Sequence, residues 1–367
     1  MKIDFVDLKR QYQNIKQEID EAINTVVSEA NFILGNDVDS FEERFSTLIG
    51  TKHCISVANG TDSLFIIMKS LGIGKGDEVI TVCNSWISSS ETIGLTGAKP
   101  VFTDINPHTL LMDIEDLKSK ITKNTKAIIP VHLFGNPCNI EAIKEIAEEH
   151  NLLIIEDCAQ SHLATSNGNN VGTFGIASSF SFFPGKNLGA YGDAGCILTN
   201  DEDLARKCRI FARHGAIKKH DHLIEGINSR MDNLQAAILN VKIKHLEKWT
   251  EQRREIAKEY RKGLNGLPVI IPELEKNTNS SYHLFIIQIR ERDELKDFLE
   301  SNGISCGIHY PKIIPLQKAY SNYGYTEKDF PIGFEKQSQI LSLPIFPEMT
   351  KNEINFVLKK IHEFFRK

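Results

Sequence analysis

The chain has 367 residues, 41% of them hydrophobic and 25% charged, with a net charge of −5. That length exceeds one simple core and predicts a large unit with a smaller partner, while the mild negative charge excludes a global basic field for nucleic acid or a membrane surface. Seven scattered cysteines without a CxxC pair argue against a disulfide framework and against a metal site, and with no apolar leader and no apolar run of about 18 residues the expected compartment is the cytoplasm.

Residues 9–30 read as a helix, with Leu8, Tyr12, Ile15, Ile19, Ile23 and Val26 at helical spacing. A second helix is expected after Asp39. Short apolar runs then alternate with helical segments. Strands are expected at 54–58, 77–82, 99–104, 126–133 and 152–158, and helices at 61–72, 86–97 and 139–150. Ile- and Val-rich runs joined by helices predict an α/β fold with a mainly parallel sheet covered on both faces. The segments 180–189 and 194–201 read as paired strands around a loop. A long helix is expected over 229–263, followed by Pro268 and Pro272. Beyond them YHLFIIQI, a helix near 292–302, GISCGIHYP and a terminal helix over 350–366 predict a smaller α+β unit. The expected division is 1–250 and 251–367.

The segment Ser181-Phe182-Phe183-Pro184-Gly185-Lys186-Asn187-Leu188-Gly189 contains a Gly-Lys pair. It is not a nucleotide-binding Walker loop, because Phe180 and Asn187 stand where that loop needs Gly and Ser or Thr. What remains is one lysine among apolar residues, and a desolvated lysine is an amine nucleophile toward an aldehyde. Glu156-Asp157 directly follows the apolar run LLII, and ligands sit beyond the carboxyl ends of parallel strands. A carboxylate there suits the protonated ring nitrogen of an electron-sink cofactor, and Gln160 lies three residues on. A plain helix cap is the competing role for Asp157. Asn59-Gly60-Thr61 follows a strand and opens a helix, which makes an anion site suited to phosphate. Trp86, past the strand at 77–82, suits stacking on a planar ring. Together these residues point to a phosphate-bearing, ring-containing, amine-reactive cofactor.

The chain also resembles a known family, the DegT/DnrJ/StrS group of nucleotide-sugar aminotransferases. FVDLKRQY with FILG, NGTDSL, GDEVI, GAKPVF, IPVHLFG, IEDCAQ, FSFFPGKNLGAYGDAG and GINSRMDNLQAAIL fall in the family's order over nearly the whole length. The lysine motif and GINSRMDNLQAAIL are the specific ones. The resemblance implies an aspartate aminotransferase-like fold, that of the fold type I pyridoxal phosphate enzymes. It also implies a homodimer with shared active sites. Pyridoxal 5′-phosphate is the implied cofactor, with Lys186 as the Schiff-base lysine and proton carrier. Asp157 is implied at the pyridine nitrogen, Gln160 at the ring hydroxyl and Trp86 over the ring. Gly60, Thr61 and Ser181 are implied at the phosphate, joined there by Asn228 of the neighbouring subunit. Ala194 departs from the family's usual GDGG, a small change beyond the lysine loop.

By the same resemblance the amino donor is L-glutamate and the acceptor a nucleotide-linked keto-sugar. The opening segment, HLIEGINSRMDNLQ and the late HYP are most similar to C-3 aminotransferases, which implies a dTDP-3-keto-6-deoxyhexose. His309 and Tyr310 are the candidate substrate contacts. The product would serve a surface polysaccharide, lipopolysaccharide included, or another glycoconjugate. The nearest alternative is a 4-aminotransferase, or one acting on a UDP-linked sugar. A pyridoxal phosphate-binding regulator without turnover is the alternative of a different class.

Overall fold

Seven strands form the central sheet of the computed structural model, which describes residues 1–366. In chain order they are β1 (His53–Val57), β2 (Glu78–Val82), β3 (Lys99–Thr103), β4 (Thr125–Ile129), β5 (Leu153–Asp157), β6 (Ala177–Ser181) and β7 (Gly195–Thr199). Their order across the sheet is β1-β7-β6-β5-β4-β2-β3. The pairings among β2, β3, β4, β5 and β6 are parallel, and β7 runs antiparallel to both β6 and β1. Alternation along each strand feeds two cores. In β2, Ile80 and Val82 enter one hydrophobic cluster with Leu117, Ile140 and Ile143, while Val79 enters another with Ile66, Ile67, Ile93 and Leu204. Helices therefore cover both faces, which is why these strands read as nearly unbroken apolar runs.

Several expected bounds shift, each for a visible reason. β4 ends at Ile129 rather than 133, because Pro130 has no N–H to continue the ladder. The chain past it bonds to the end of β5 instead: Asp157 N–H donates to Pro130 O (2.9 Å) and His132 N–H to Asp157 O (3.1 Å). The helix over 9–30 is two helices, Leu8–Asn14 and Lys16–Glu29, broken at Ile15. The first half places Arg10 against Glu353 through two bonds of 2.9 and 2.8 Å, and the second packs Ile19 with Ile238 and Trp249. The next helix begins at Asn36, ahead of Asp39.

The long helix expected over 229–263 is also divided. Ser229 Oγ accepts from Ala58 N–H (3.1 Å) and Asp232 bridges to Ile33, so residues 229–232 are committed elsewhere and the helix starts at Asn233. It runs to Lys242, tightens into a 3-10 turn over Ile243–His245 and resumes as Leu246–Leu264. The helices Ile114–Lys120 and Glu202–Ala212 and the strand Ile340–Leu343 were not expected from the sequence.

The C-terminal part has its own core, in which Tyr260, Phe285, Leu295, Leu341 and Val357 meet. Phe285–Gln288 pairs antiparallel with Ile340–Leu343. Ile3 joins this core from the other end of the sequence, donating to Gly303 O (2.8 Å) and accepting from Ser305 N–H (2.9 Å). Among the described residues no helix is long and apolar enough to cross a membrane.

Candidate active site

The carboxyl end of β5 delivers Asp157 into a buried position beside the neighbouring strand-to-helix turn. Its Oδ2 accepts from Ser89 Oγ (2.9 Å), its Oδ1 from Ala159 N–H (3.1 Å), and Ser89 Oγ is itself 2.9 Å from Ser85 Oγ. Burial pushes the Asp157 carboxyl above its usual range, opposed by the Ala159 amide, the Ser89 hydroxyl and the charge of Lys186. Those donors favour the charged form against its desolvation. Ser89 is a site residue that sequence reasoning missed. The available signal was the serine-rich stretch from Ser85 to Ser90, in which all four serines are buried.

Lys186 lies in the loop between β6 and β7. Burial lowers its amine to about 8, and the Asp157 carboxylate acts in the opposite direction. The loop is held at several points. Lys186 N–H donates to Phe183 O (2.8 Å). Gln235 Oε1 accepts from Tyr191 N–H (2.8 Å). The fully buried Lys242 donates to Gly189 O (2.7 Å) with its ammonium 4.4 Å from the Tyr191 ring centroid. Gln235 and Lys242 belong to one helix, so a single rigid element clamps the exit of the lysine loop.

Gly60, Thr61 and Ser181 converge at the start of the helix Gly60–Ser70. Asn59 caps it, accepting from Asp62 N–H (2.8 Å), which leaves the first amides without intrahelical acceptors. A methyl group on Gly60 would lie 2.8 Å from Ser181 Cβ, and one on Gly195 would lie 2.4 Å from Asn59 C. The helix start, the end of β6 and the start of β7 thus abut with no space for side chains. Thr61 Oγ1 is 2.7 Å from Ser88 Oγ.

Gln160 is fixed at both ends. Its Oε1 accepts from Phe134 N–H (2.7 Å) and its Nε2 donates to Tyr310 Oη (3.2 Å). Phe134 takes a left-handed φ of 66° to aim that amide. Trp86, 60% exposed, tilts against Tyr310 with ring centroids 5.8 Å apart. His309 bonds Ser342 through Nδ1 (2.8 Å) and stacks on Phe5. Burial and the Lys186 charge lower its imidazole to about 4, so it is neutral at pH 7. These contacts join Gln160, Trp86 and Tyr310 in one cluster. Asn228 stands apart in an exposed segment bridged to Arg213.

His132, Glu156 and Cys158 cluster closely enough to hold a metal ion, but the His132 ring nitrogens and the Glu156 carboxylate are engaged. His132 Nδ1 accepts from Cys138 N–H, so Nε2 carries the proton and donates to Glu156 (3.1 Å). Glu156 also accepts from the backbone N–H groups of Gly172, Phe174 and Gly175 at 2.7–2.9 Å. Burial and the Glu156 charge raise the Cys158 thiol. The cluster braces the end of β5.

Residues 13–362 match the DegT/DnrJ/EryC1/StrS aminotransferase family. The chain belongs to this family. It is 42% identical to a pleiotropic regulatory protein of Geobacillus stearothermophilus, over 100% of this chain and 99% of that one. It is 41% identical to dTDP-3-amino-3,6-dideoxy-alpha-D-galactopyranose transaminase of Aneurinibacillus thermoaerophilus, with 99% of each covered. It is 40% identical to UDP-2-acetamido-2-deoxy-3-oxo-D-glucuronate aminotransferase of Pseudomonas aeruginosa, with 97% and 98% covered. The crystal structure of DesV from S. venezuelae in complex with ketimine intermediate superposes with a TM-score of 0.97 at 36% identity, covering 100% of this chain and 99% of that one. This family aminotransferase works with pyridoxal 5′-phosphate, and its residues fit that group. A desolvated amine, a buried carboxylate supported by two donors and an unblocked helix start beside Ser181 match an aldehyde, a basic ring nitrogen and a phosphate.

Proposed function

We propose that the protein transfers the amino group of L-glutamate to carbon 3 of a nucleotide-linked keto-sugar, with dTDP-3-keto-6-deoxyhexose as the acceptor. The observation that carries the aminotransferase chemistry is a half-buried lysine in the β6–β7 loop set within electrostatic reach of the buried Asp157 carboxylate at the end of β5, each shifting the other's protonation. When bound, the cofactor supplies an aldehyde for amines and a ring that accepts an electron pair. The residues do the rest. Asp157 holds the proton on the ring nitrogen, and Ser89 and Ala159 keep that carboxylate oriented. Lys186 would hold the aldehyde carbon, and its amine, when free, would be the base for a substrate Cα proton. Gly60, Thr61 and Ser181 would hold the phosphate, Gln160 the ring hydroxyl, and Trp86 the ring face. His309 and Tyr310 contact the substrate.

Support for carbon 3 comes from the relatives at 41% and 40% identity, whose names place the amino or oxo group there. The second of these is a UDP-sugar enzyme, and it favours a UDP-linked acceptor as the second reading. Asn228 belongs to the phosphate site of a partner copy in this reading. The exposed apolar residues Phe32, Ile33, Leu34, Leu223 and Ile224 support a homodimer, since such a set is otherwise costly in water. The 42% relative is named a regulatory protein, but a regulatory role without turnover gives the base function of Lys186 no use. The test is spectroscopic and chemical. L-glutamate should bleach the bound cofactor's visible band, and dTDP- or UDP-linked 3-keto sugars should restore it, with amino-sugar product by mass spectrometry. A stable spectrum with glutamate, or restoration only by 4-keto sugars, overturns the reading.

A further inference from the structure

His283 was not singled out by the sequence, yet a closed set of hydrogen bonds holds it between the Lys186 loop and the Gln160 loop. Asn187, the residue after Lys186, donates through Nδ2 to Ser281 O (2.9 Å), and its Oδ1 meets His283 Nδ1 at 3.2 Å. Leu284 N–H donates to Phe134 O (3.1 Å), and Phe134 N–H in turn bonds Gln160 (2.7 Å). Ser281 Oγ reaches Gln160 O at 3.4 Å, and Ser281 N–H donates to Gly135 O (3.0 Å). A methyl group on Gly135 would lie 2.8 Å from His283 N, so the two backbones run in direct contact.

These bonds dictate a tautomer. The Ser281 carbonyl can only accept, so the Asn187 atom facing it is the amide nitrogen, and its oxygen faces His283. His283 Nδ1 must therefore carry the proton, and Nε2 is left with a lone pair. Burial and the charge of Lys186 push this imidazole well below its ordinary range, so it stays neutral. The ring is half-buried, and among the described residues Nε2 has no hydrogen-bond partner. A fixed, uncharged acceptor that neighbours the reactive lysine suits a hydroxyl, not an anion.

We propose that His283 Nε2 accepts a hydrogen bond from a hydroxyl of the keto-sugar and so selects the acceptor substrate. The inference rests on the sugar reading given above. L-Glutamate carries no hydroxyl, so only the sugar half of the reaction uses this contact. His283→Asn retains a donor to Asn187 Oδ1 and removes the distal acceptor. His283→Gln does the reverse. In the holoenzyme, single-turnover absorbance separates the halves, with L-glutamate and then dTDP- and UDP-linked 3-keto sugars as probes. His283→Asn should keep the glutamate half within about twofold and slow the sugar half, or weaken sugar binding, by about tenfold or more, since a site left without its hydroxyl partner loses that much discrimination. His283→Gln should recover part of the loss. Equal losses in both halves, or a wild-type sugar half in His283→Asn, overturn the inference while leaving the function standing. A wild-type enzyme that aminates no keto-sugar removes the function and the inference together.

Discussion

Asp157 and Lys186 sustain each other's charge against a burial that opposes both: the carboxylate raises the amine and the ammonium lowers the carboxyl. The net result differs for the two. Burial is the larger influence on each, so the amine ends near 8 and the carboxyl ends above its ordinary value.

The cofactor-free protein tests this balance. Competitive acylation read at the Lys186 peptide by mass spectrometry should show reactivity rising through about pH 8. In Asp157→Asn the supporting charge is gone, and the midpoint should fall. The sign also fixes a stability trend. A lysine lowered from 10.5 to about 8 binds fewer protons folded than unfolded between those values, so its destabilising effect is present in full below pH 8. That effect is relieved as pH rises toward 10.5. Lys186→Met should flatten this part of the stability–pH curve in chemical denaturation.

Asp157→Asn should still bind the cofactor but lose transamination by about 100-fold or more, because a neutral amide cannot keep the ring nitrogen protonated as a carboxylate does. At about 1.4 kcal/mol per factor of ten, this asks about 2.8 kcal/mol of one charge. Single-turnover rates with saturating cofactor measure it. Near-normal turnover would remove Asp157 from the role.

Gly195→Ala should disrupt the phosphate end without touching the lysine loop's chemistry. The new methyl group would sit 2.4 Å from Asn59 C and 2.6 Å from its carbonyl oxygen, and both are backbone atoms that have nowhere to retreat. Overpacking of this kind costs about 1–3 kcal/mol. Equilibrium unfolding should show that loss, and cofactor dissociation should quicken. Unchanged cofactor affinity would mean that the helix start is not the phosphate site.

A mixture of Lys186→Ala and Asn228→Ala should regain activity after subunit exchange. If Asn228 serves the partner's site, one site of each mixed dimer carries both lesions and the other carries neither. Cofactor bound only by the dimer should also strengthen it against dissociation by linkage. Sedimentation showing a fully active single chain, or no recovery after verified exchange, would sink the shared-site arrangement.

The legible parts of this protein are those whose causes lie close together in sequence. Asp157 and Lys186 stood out because a strand end and a Gly-Lys loop mark them locally, and the parallel sheet followed from repeated Ile- and Val-rich runs. Ser89 lies 68 residues from Asp157 and His283 lies 96 from Asn187, and no local pattern announces either pairing. The region 229–263 failed differently. Its side chains favour a continuous helix and contain no breaker before Gly263, but Ser229 and Asp232 were claimed by Ala58 and Ile33. Tertiary bonds overrode local propensity there.

The backbone bonds that tie Ile3 to Gly303 and Ser305 also constrain how the molecule comes into being. The segment around Ile3 precedes its partners by roughly 300 residues, a separation whose loop-closure entropy must be met before the contact returns anything. The C-terminal core therefore cannot close until residues 303–305 have been made, whereas the strands from β1 to β7 have all their neighbours in hand well before that. Assembly of this chain is sequential by construction, and the unit that carries His283, His309 and Tyr310 is sealed after the central sheet.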